Sequence, residues 1–151
     1  MDPAVISRSF FSHTRGLTVG EGRVYMGRAD GHIVALDERT GDVLWDVQIV
    51  DSAKETAGFS GAGILVSADL FVLPQNGGEY PIEGKIFGID PSNGSIKWTF
   101  HTTGRDDPHA LATWGGDSWK YGGGGAWQPG TVDYANNQII MAVSYTHLRA
   151  H

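Results

Sequence analysis

The sequence predicts an all-β domain assembled from repeated hairpins. Two observations carry that expectation. Residues 35–45 read Ala-Leu-Asp-Glu-Arg-Thr-Gly-Asp-Val-Leu-Trp, and residues 88–98 read Gly-Ile-Asp-Pro-Ser-Asn-Gly-Ser-Ile-Lys-Trp. Both hold Asp-(x)3-Gly-(x)3-Trp, as Asp37, Gly41, Trp45 and then Asp90, Gly94, Trp98, the second copy 53 residues after the first. Glycine is the second signal: 22 residues in a chain of 151 against an ordinary ~7% implies many tight turns.

The physics of the repeat is legible. An apolar strand ends at the Asp, whose side chain can cap the turn. The Gly accepts a positive φ that other residues resist, and a second strand then carries a Trp between sheets. Trp45 and Trp98 are therefore expected to pack in the core.

The strands follow in order. Arg23-Val24-Tyr25-Met26-Gly27 and His32-Ile33-Val34-Ala35-Leu36 flank the turn Ala29-Asp30-Gly31. The second unit has Ile64-Leu65-Val66, Leu70-Phe71-Val72-Leu73, Lys85-Ile86-Phe87-Gly88-Ile89 and Ile96-Lys97-Trp98-Thr99-Phe100. Four short strands make one β-propeller blade. A third unit starts with Thr131-Val132-Asp133-Tyr134 and Gln138-Ile139-Ile140-Met141-Ala142-Val143, without a third Trp signature. The sequence therefore reads as about two and a half blades, a partial propeller domain over residues 1–143. Residues 144–151 lack strand alternation and are expected to lie outside the domain, as a truncated or read-through tail. The start, Met1-Asp2-Pro3-Ala4-Val5-Ile6-Ser7, has no basic n-region and apolar h-region, and reads as internal to a longer protein.

Two segments exceed a plain blade. Residues 75–84 read Gln-Asn-Gly-Gly-Glu-Tyr-Pro-Ile-Glu-Gly, and residues 105–130 contain Trp114, Trp119, four glycines at 122–125, and Trp127. Long loops in compact domains are functional or disordered, and three Trp argue against disorder.

Composition excludes several classes. Lys plus Arg total 11 against 17 Asp plus Glu, a net charge of −6. No basic stripe offers a nucleic-acid footprint. Cysteine is absent, which removes disulfides and thiolate metal sites. No apolar stretch approaches the ~18 residues of a membrane span.

The remaining motifs narrow the chemistry. The run Gly122-Gly123-Gly124-Gly125 lacks the Lys-Ser/Thr and strand-to-helix context of a phosphate loop. It is either a flexible linker or a close backbone approach to a flat ligand stacked on Trp127. His13, His32, His101, His109, His147 and His151 show no zinc-ligand spacing. Asn93-Gly94-Ser95 matches a glycosylation sequon but is explained by the hairpin turn. No nucleophile elbow is present. Glu79, in a glycine-rich loop, can coordinate a hard cation or face water.

From Arg15 to about Val143 the chain resembles the amino-terminal blades of the quinoprotein alcohol dehydrogenases, eight-bladed propellers that use pyrroloquinoline quinone (PQQ). The residues that carry the resemblance are Asn76-Gly77-Gly78-Glu79, then Thr113-Trp114-Gly115-Gly116-Asp117-Ser118-Trp119-Lys120, then the glycine run ending near Trp127. The resemblance implies that Arg15, Ser60, Asn76, Gly77, Gly78 and Trp127 bind the cofactor. It implies Glu79 as a metal ligand, with calcium expected and a lanthanide as the alternative. Trp127 would stack under the quinone. The implied reaction is metal-assisted hydride transfer from an alcohol or polyol to PQQ, with a cytochrome or quinone as electron acceptor and a periplasmic location. The family's metal-binding Asn and catalytic Asp are expected beyond Val143. Ser9-Phe10 stands where many members carry a vicinal cysteine pair.

Two rival classes remain. One is a non-catalytic propeller scaffold of the same repeat type, which does not need the loops at 76–79 and 114–127. The other is a sugar-binding propeller with Trp114, Trp119 and Trp127 as stacking platforms.

Overall fold

The computed structural model describes residues 14–52 and 54–143. The tail at 144–151 and the Ser9-Phe10 position fall outside them.

Among the described residues ten strands form three antiparallel sheets. The first sheet is β1 (Thr18–Gly20), β2 (Arg23–Gly27), β3 (His32–Asp37) and β4 (Val43–Gln48), paired in sequence order. The second is β5 (Ile64–Ser67), β6 (Leu70–Pro74), β7 (Lys85–Ile89) and β8 (Ile96–His101), again in sequence order. A two-stranded ribbon follows, β9 (Thr131–Asp133) with β10 (Gln138–Ile140). This meander of successive four-stranded units is the predicted blade plan. The sequence reading missed β1, too short and glycine-containing to stand out. It also missed α1 (Pro108–Leu111) and a 3-10 turn at Ser118–Tyr121, both inside the long loop.

The signature hairpins fold alike. Oδ1 of Asp37 accepts the N–H groups of Arg39 and Thr40 at 2.8 and 2.9 Å. Oδ1 of Asp90 accepts the N–H of Ser92 at 2.8 Å and its hydroxyl at 2.6 Å. Gly41 and Gly94 take φ of 77° and 79°, where a side chain would be strained. In both sheets the register slips just after the Trp position. Ala35 faces Trp45 and Leu36 then faces Val43; Gly88 faces Trp98 and Ile89 then faces Ile96. The bulge bends the outer strand and leaves a small residue opposite each indole.

The main core lies between the first two sheets. Tyr25, Ile33, Ala35, Phe59, Phe71, Leu73, Phe87 and Ile89 are buried there. Tyr25 stacks on Phe71 with centroids 4.8 Å apart, and Phe59 meets Phe87 edge-on at 6.0 Å. A smaller core of Val72, Ile86 and Ala126, with Ile139 and Met141 against it, joins the second sheet to the ribbon. The sheets thus stack face to face in chain order.

The two signature tryptophans differ, which corrects the expectation that both are core. Trp45 packs against the main core, its Nε1–H donates to the Pro91 carbonyl at 3.2 Å, and Gly94 lies under its ring. Trp98 is 38% exposed. The reason is the joint itself: the turn of the following unit covers the indole of the preceding one. Among the described residues no third turn reaches Trp98.

Candidate functional site

Three separate loops converge beside the main core. The first is 57–63, between β4 and β5. Asn76 fastens it: the Asn76 N–H donates to the Gly58 carbonyl at 3.0 Å, and Asn76 Oδ1 accepts the Gly58 N–H at 2.9 Å. This two-way bond fixes the chain just ahead of Ser60. Gly58 cannot carry a side chain, because a Cβ there would come 2.3 Å from the Ala29 carbonyl oxygen.

Ser60 is almost fully buried, and its Oγ has no hydrogen-bond partner. Its carbonyl accepts the Arg15 N–H at 2.6 Å. Next to it, a Cβ at Gly61 would come 2.3 Å from the Trp127 carbonyl oxygen, so backbone meets backbone there. The Arg15 guanidinium carbon lies 4.9 Å from the Trp127 ring centroid, within the range of a cation–π contact. Arg15, Ser60 and Trp127, widely spaced in sequence, therefore form one cluster.

The second loop, 75–84, follows β6. Gly77 has φ 106°, and a Cβ there would come 2.9 Å from the Thr56 carbonyl oxygen. Gly78 is buried against Gly125, where a Cβ would come 2.9 Å from the Gly78 nitrogen. Glu79, immediately after, is exposed. It makes no hydrogen bond or ion pair with a described residue. The third loop, 122–127, lies on the second: the Ala126 N–H donates to the Gln75 carbonyl at 3.0 Å.

Each predicted site residue thus has a place. Arg15, Ser60 and Trp127 touch one another or one another's backbone. Gly77 and Gly78 allow the close loop packing, and Asn76 Oδ1 is engaged by the backbone of Gly58. Among the described residues no three His, Asp or Glu side chains gather as a metal-binding group. Trp114 and Trp119 do not join the Trp127 cluster. The Trp114 indole N–H donates to the Thr103 carbonyl at 3.0 Å while its ring covers Gly122. Trp119 has Arg105 and Lys120 near its ring, at 5.9 and 5.5 Å.

The sequence reading overlooked Thr102. Its Oγ1–H donates to the Gly124 carbonyl at 2.6 Å. A lone Thr at a strand end carries no sequence signal of such a role.

The arrangement suits a flat, anionic ligand. Trp127 is an aromatic surface, Arg15 a cation beside it, and Ser60 a buried hydroxyl with no partner of its own. A buried polar atom in that state costs ~1–3 kcal/mol, a penalty that a ligand oxygen would relieve.

Comparison with known proteins bears on the fold and the family. A family of propeller repeats, PQQ_2, described as outer membrane protein assembly factor BamB, matches residues 5–110. The fold and this match define the chain as part of a β-propeller of the PQQ-repeat class. The chain belongs to that family, and it is similar to part of several quinoprotein alcohol and methanol dehydrogenases. It is 34% identical over 121 residues to quinohemoprotein alcohol dehydrogenase ADH IIB of Pseudomonas putida, covering 74% of this chain and 17% of that enzyme. It is 30% identical over 131 residues to the lanthanide-dependent methanol dehydrogenase of Methylacidiphilum fumariolicum (strain SolV), covering 75% of this chain and 21% of that enzyme. Among solved structures, a europium-containing methanol dehydrogenase superposes with a TM-score of 0.81 at 26% identity, covering 89% of this chain and 26% of that one. The chain thus spans about a quarter or less of the length of these relatives.

Proposed function

We propose that this chain forms part of the cofactor pocket of a PQQ-dependent dehydrogenase that oxidises an alcohol or polyol by hydride transfer. The observation that carries the reading is the unpartnered Ser60 hydroxyl, buried beside the Arg15–Trp127 pair. A quinone carboxylate oxygen would accept the Ser60 O–H. Arg15 would complement the same charge, since guanidinium–carboxylate bonds are among the strongest of the polar contacts. Trp127 would hold the ring plane by stacking.

When bound, the quinone would accept the hydride and a metal ion would polarise its reacting carbonyl. This chain's own residues bind and orient. Arg15 and Ser60 would fix the acidic side of the cofactor, and the 76–78 loop would present backbone groups to it. Glu79 would supply one carboxylate to the metal. A hard cation takes about 6–8 oxygen ligands, so the rest of that set, and the proton-accepting base, would come from outside this chain. Calcium is the expected ion; relatives named as lanthanide-dependent keep a lanthanide as the alternative. A periplasmic location and a cytochrome or quinone acceptor follow from the same reading.

The test is a PQQ titration of the full gene product with calcium present, read by tryptophan fluorescence. Saturable quenching is expected, weakened in Trp127→Leu and made less calcium-dependent in Glu79→Gln. No response to PQQ would favour the second reading, a scaffold propeller. The description of the matching family as an assembly factor supports that reading.

A further inference from the structure

Four consecutive glycines, 122–125, lead into Ala126 and Trp127. Such a run has the most backbone freedom to lose on folding. Gly123 and Gly124 both take positive φ, 75° and 72°. The run must therefore be held by bonds from outside.

Those bonds are specific. Gly123 sits between the strands' ends, its N–H donating to the Ile82 carbonyl at 2.8 Å and its carbonyl accepting the Gly84 N–H at 2.7 Å. The next carbonyl, Gly124, accepts the Thr102 hydroxyl at 2.6 Å. Thr102 in turn donates its own N–H to the Gly84 carbonyl at 3.0 Å. A Cβ at Gly84 would approach the Gly124 oxygen to 2.2 Å and Thr102 Oγ1 to 2.4 Å, so these three residues meet without room for another atom. Just beyond the strand end that presents Thr102, Arg105 reaches back to Glu83, its Nη1 3.3 Å from Oε2. On the far side, Ala126 is anchored to Gln75. Gly125 is the one link between these two anchors.

We propose that Thr102 is a positioning residue for the Trp127 ring, acting through the Gly124 carbonyl without touching the ligand. This rests on the reading of Trp127 as the stacking surface for a flat quinone. Release of the Gly124 carbonyl frees the peptide plane between Gly124 and Gly125, and the run leading to Trp127 loses the bond nearest the indole on its glycine side, leaving the Gly123 bonds and the Ala126 bond in place. The ring remains present but is no longer held at one height and tilt.

The experiment compares the unmodified full gene product with Thr102→Val, Thr102→Ser and Trp127→Leu. Each is titrated with PQQ and followed by tryptophan fluorescence and by the absorbance band of the bound quinone. Thr102→Val removes the donor at nearly constant volume. It is expected to weaken PQQ binding roughly three- to tenfold, the worth of one hydrogen bond, and to shift the bound-quinone band. Thr102→Ser, which keeps the hydroxyl, is expected to restore both. Normal affinity and an unshifted band in Thr102→Val would overturn the proposal alone. So would a loss that merely follows a lower folded fraction, with the band unshifted. Failure of the unmodified protein to bind PQQ would overturn the pocket reading and this role together.

Discussion

The indole N–H of Trp45 donates to the carbonyl of Pro91, 3.2 Å away on the next unit's hairpin turn. The bond crosses from the first sheet to the second, and the Gly94 of the same turn lies within contact of the ring. It joins two repeats by one side chain and one turn.

Trp45→Phe should therefore destabilise the fold by roughly 1–3 kcal/mol, from the lost bond and the reduced ring area. The same change at Trp98, which no turn among the described residues covers, should cost about 1 kcal/mol or less. Urea unfolding of the two variants, at matched conditions, gives the difference; equal losses would contradict the joint.

The two turn glycines give a second comparison. Gly41 and Gly94 have nearly the same positive φ. A Cβ at Gly41 would meet nothing within 4 Å, whereas one at Gly94 would come 2.9 Å from the Trp45 ring. Gly41→Ala should cost about 1 kcal/mol of backbone strain. Gly94→Ala should cost that and the displacement of Trp45, so its unfolding midpoint should fall further.

The turns also set an acid limit. Bonds from the N–H groups of Thr40 and Arg39 hold the Asp37 carboxyl below its usual value of 3.8. The Ser92 hydroxyl and N–H do the same for Asp90. Because the folded value is the lower one, the unfolded chain takes up the proton first on acidification. The stabilisation is complete above pH 3.8 and is lost as the pH falls through the depressed value. Thermal midpoints measured across that range should drop, and Asp37→Asn should flatten part of the decline.

Ser60→Ala separates stability from binding. Removing a buried hydroxyl without a partner should leave the ligand-free protein unchanged or up to ~1 kcal/mol more stable. The same change should weaken PQQ binding, because the ligand oxygen then has no donor. Opposite signs in a melt and a titration would mark a group kept for binding; a drop in both would not.

Much of the fold is legible in the amino-acid sequence. The Asp, Gly and Trp of each hairpin are local chemistry: a cap, a left-handed residue and a bulky anchor at fixed spacing. The caps and the positive φ of both glycines followed as expected; the register slip beside each Trp had no sign in the sequence. The fate of Trp98 was not legible, because burial of that residue depends on a turn in another unit rather than on its own neighbours. The site was legible in part. Trp127 after a glycine run and Glu79 in a glycine-rich loop are unusual locally. Ser60 is an ordinary residue, and only the convergence of three loops shows its hydroxyl to be buried without a partner. Thr102 and the clasp of Asn76 on Gly58 have no local sign at all.

The Trp45 indole and the turn beneath it have a consequence for how such chains lengthen. At the joint between the first and second units the first offers the indole and the second the carbonyl, so the joint has a direction. A unit joined the other way round would set indole against indole, so growth by whole units keeps this contact only where every unit points the same way.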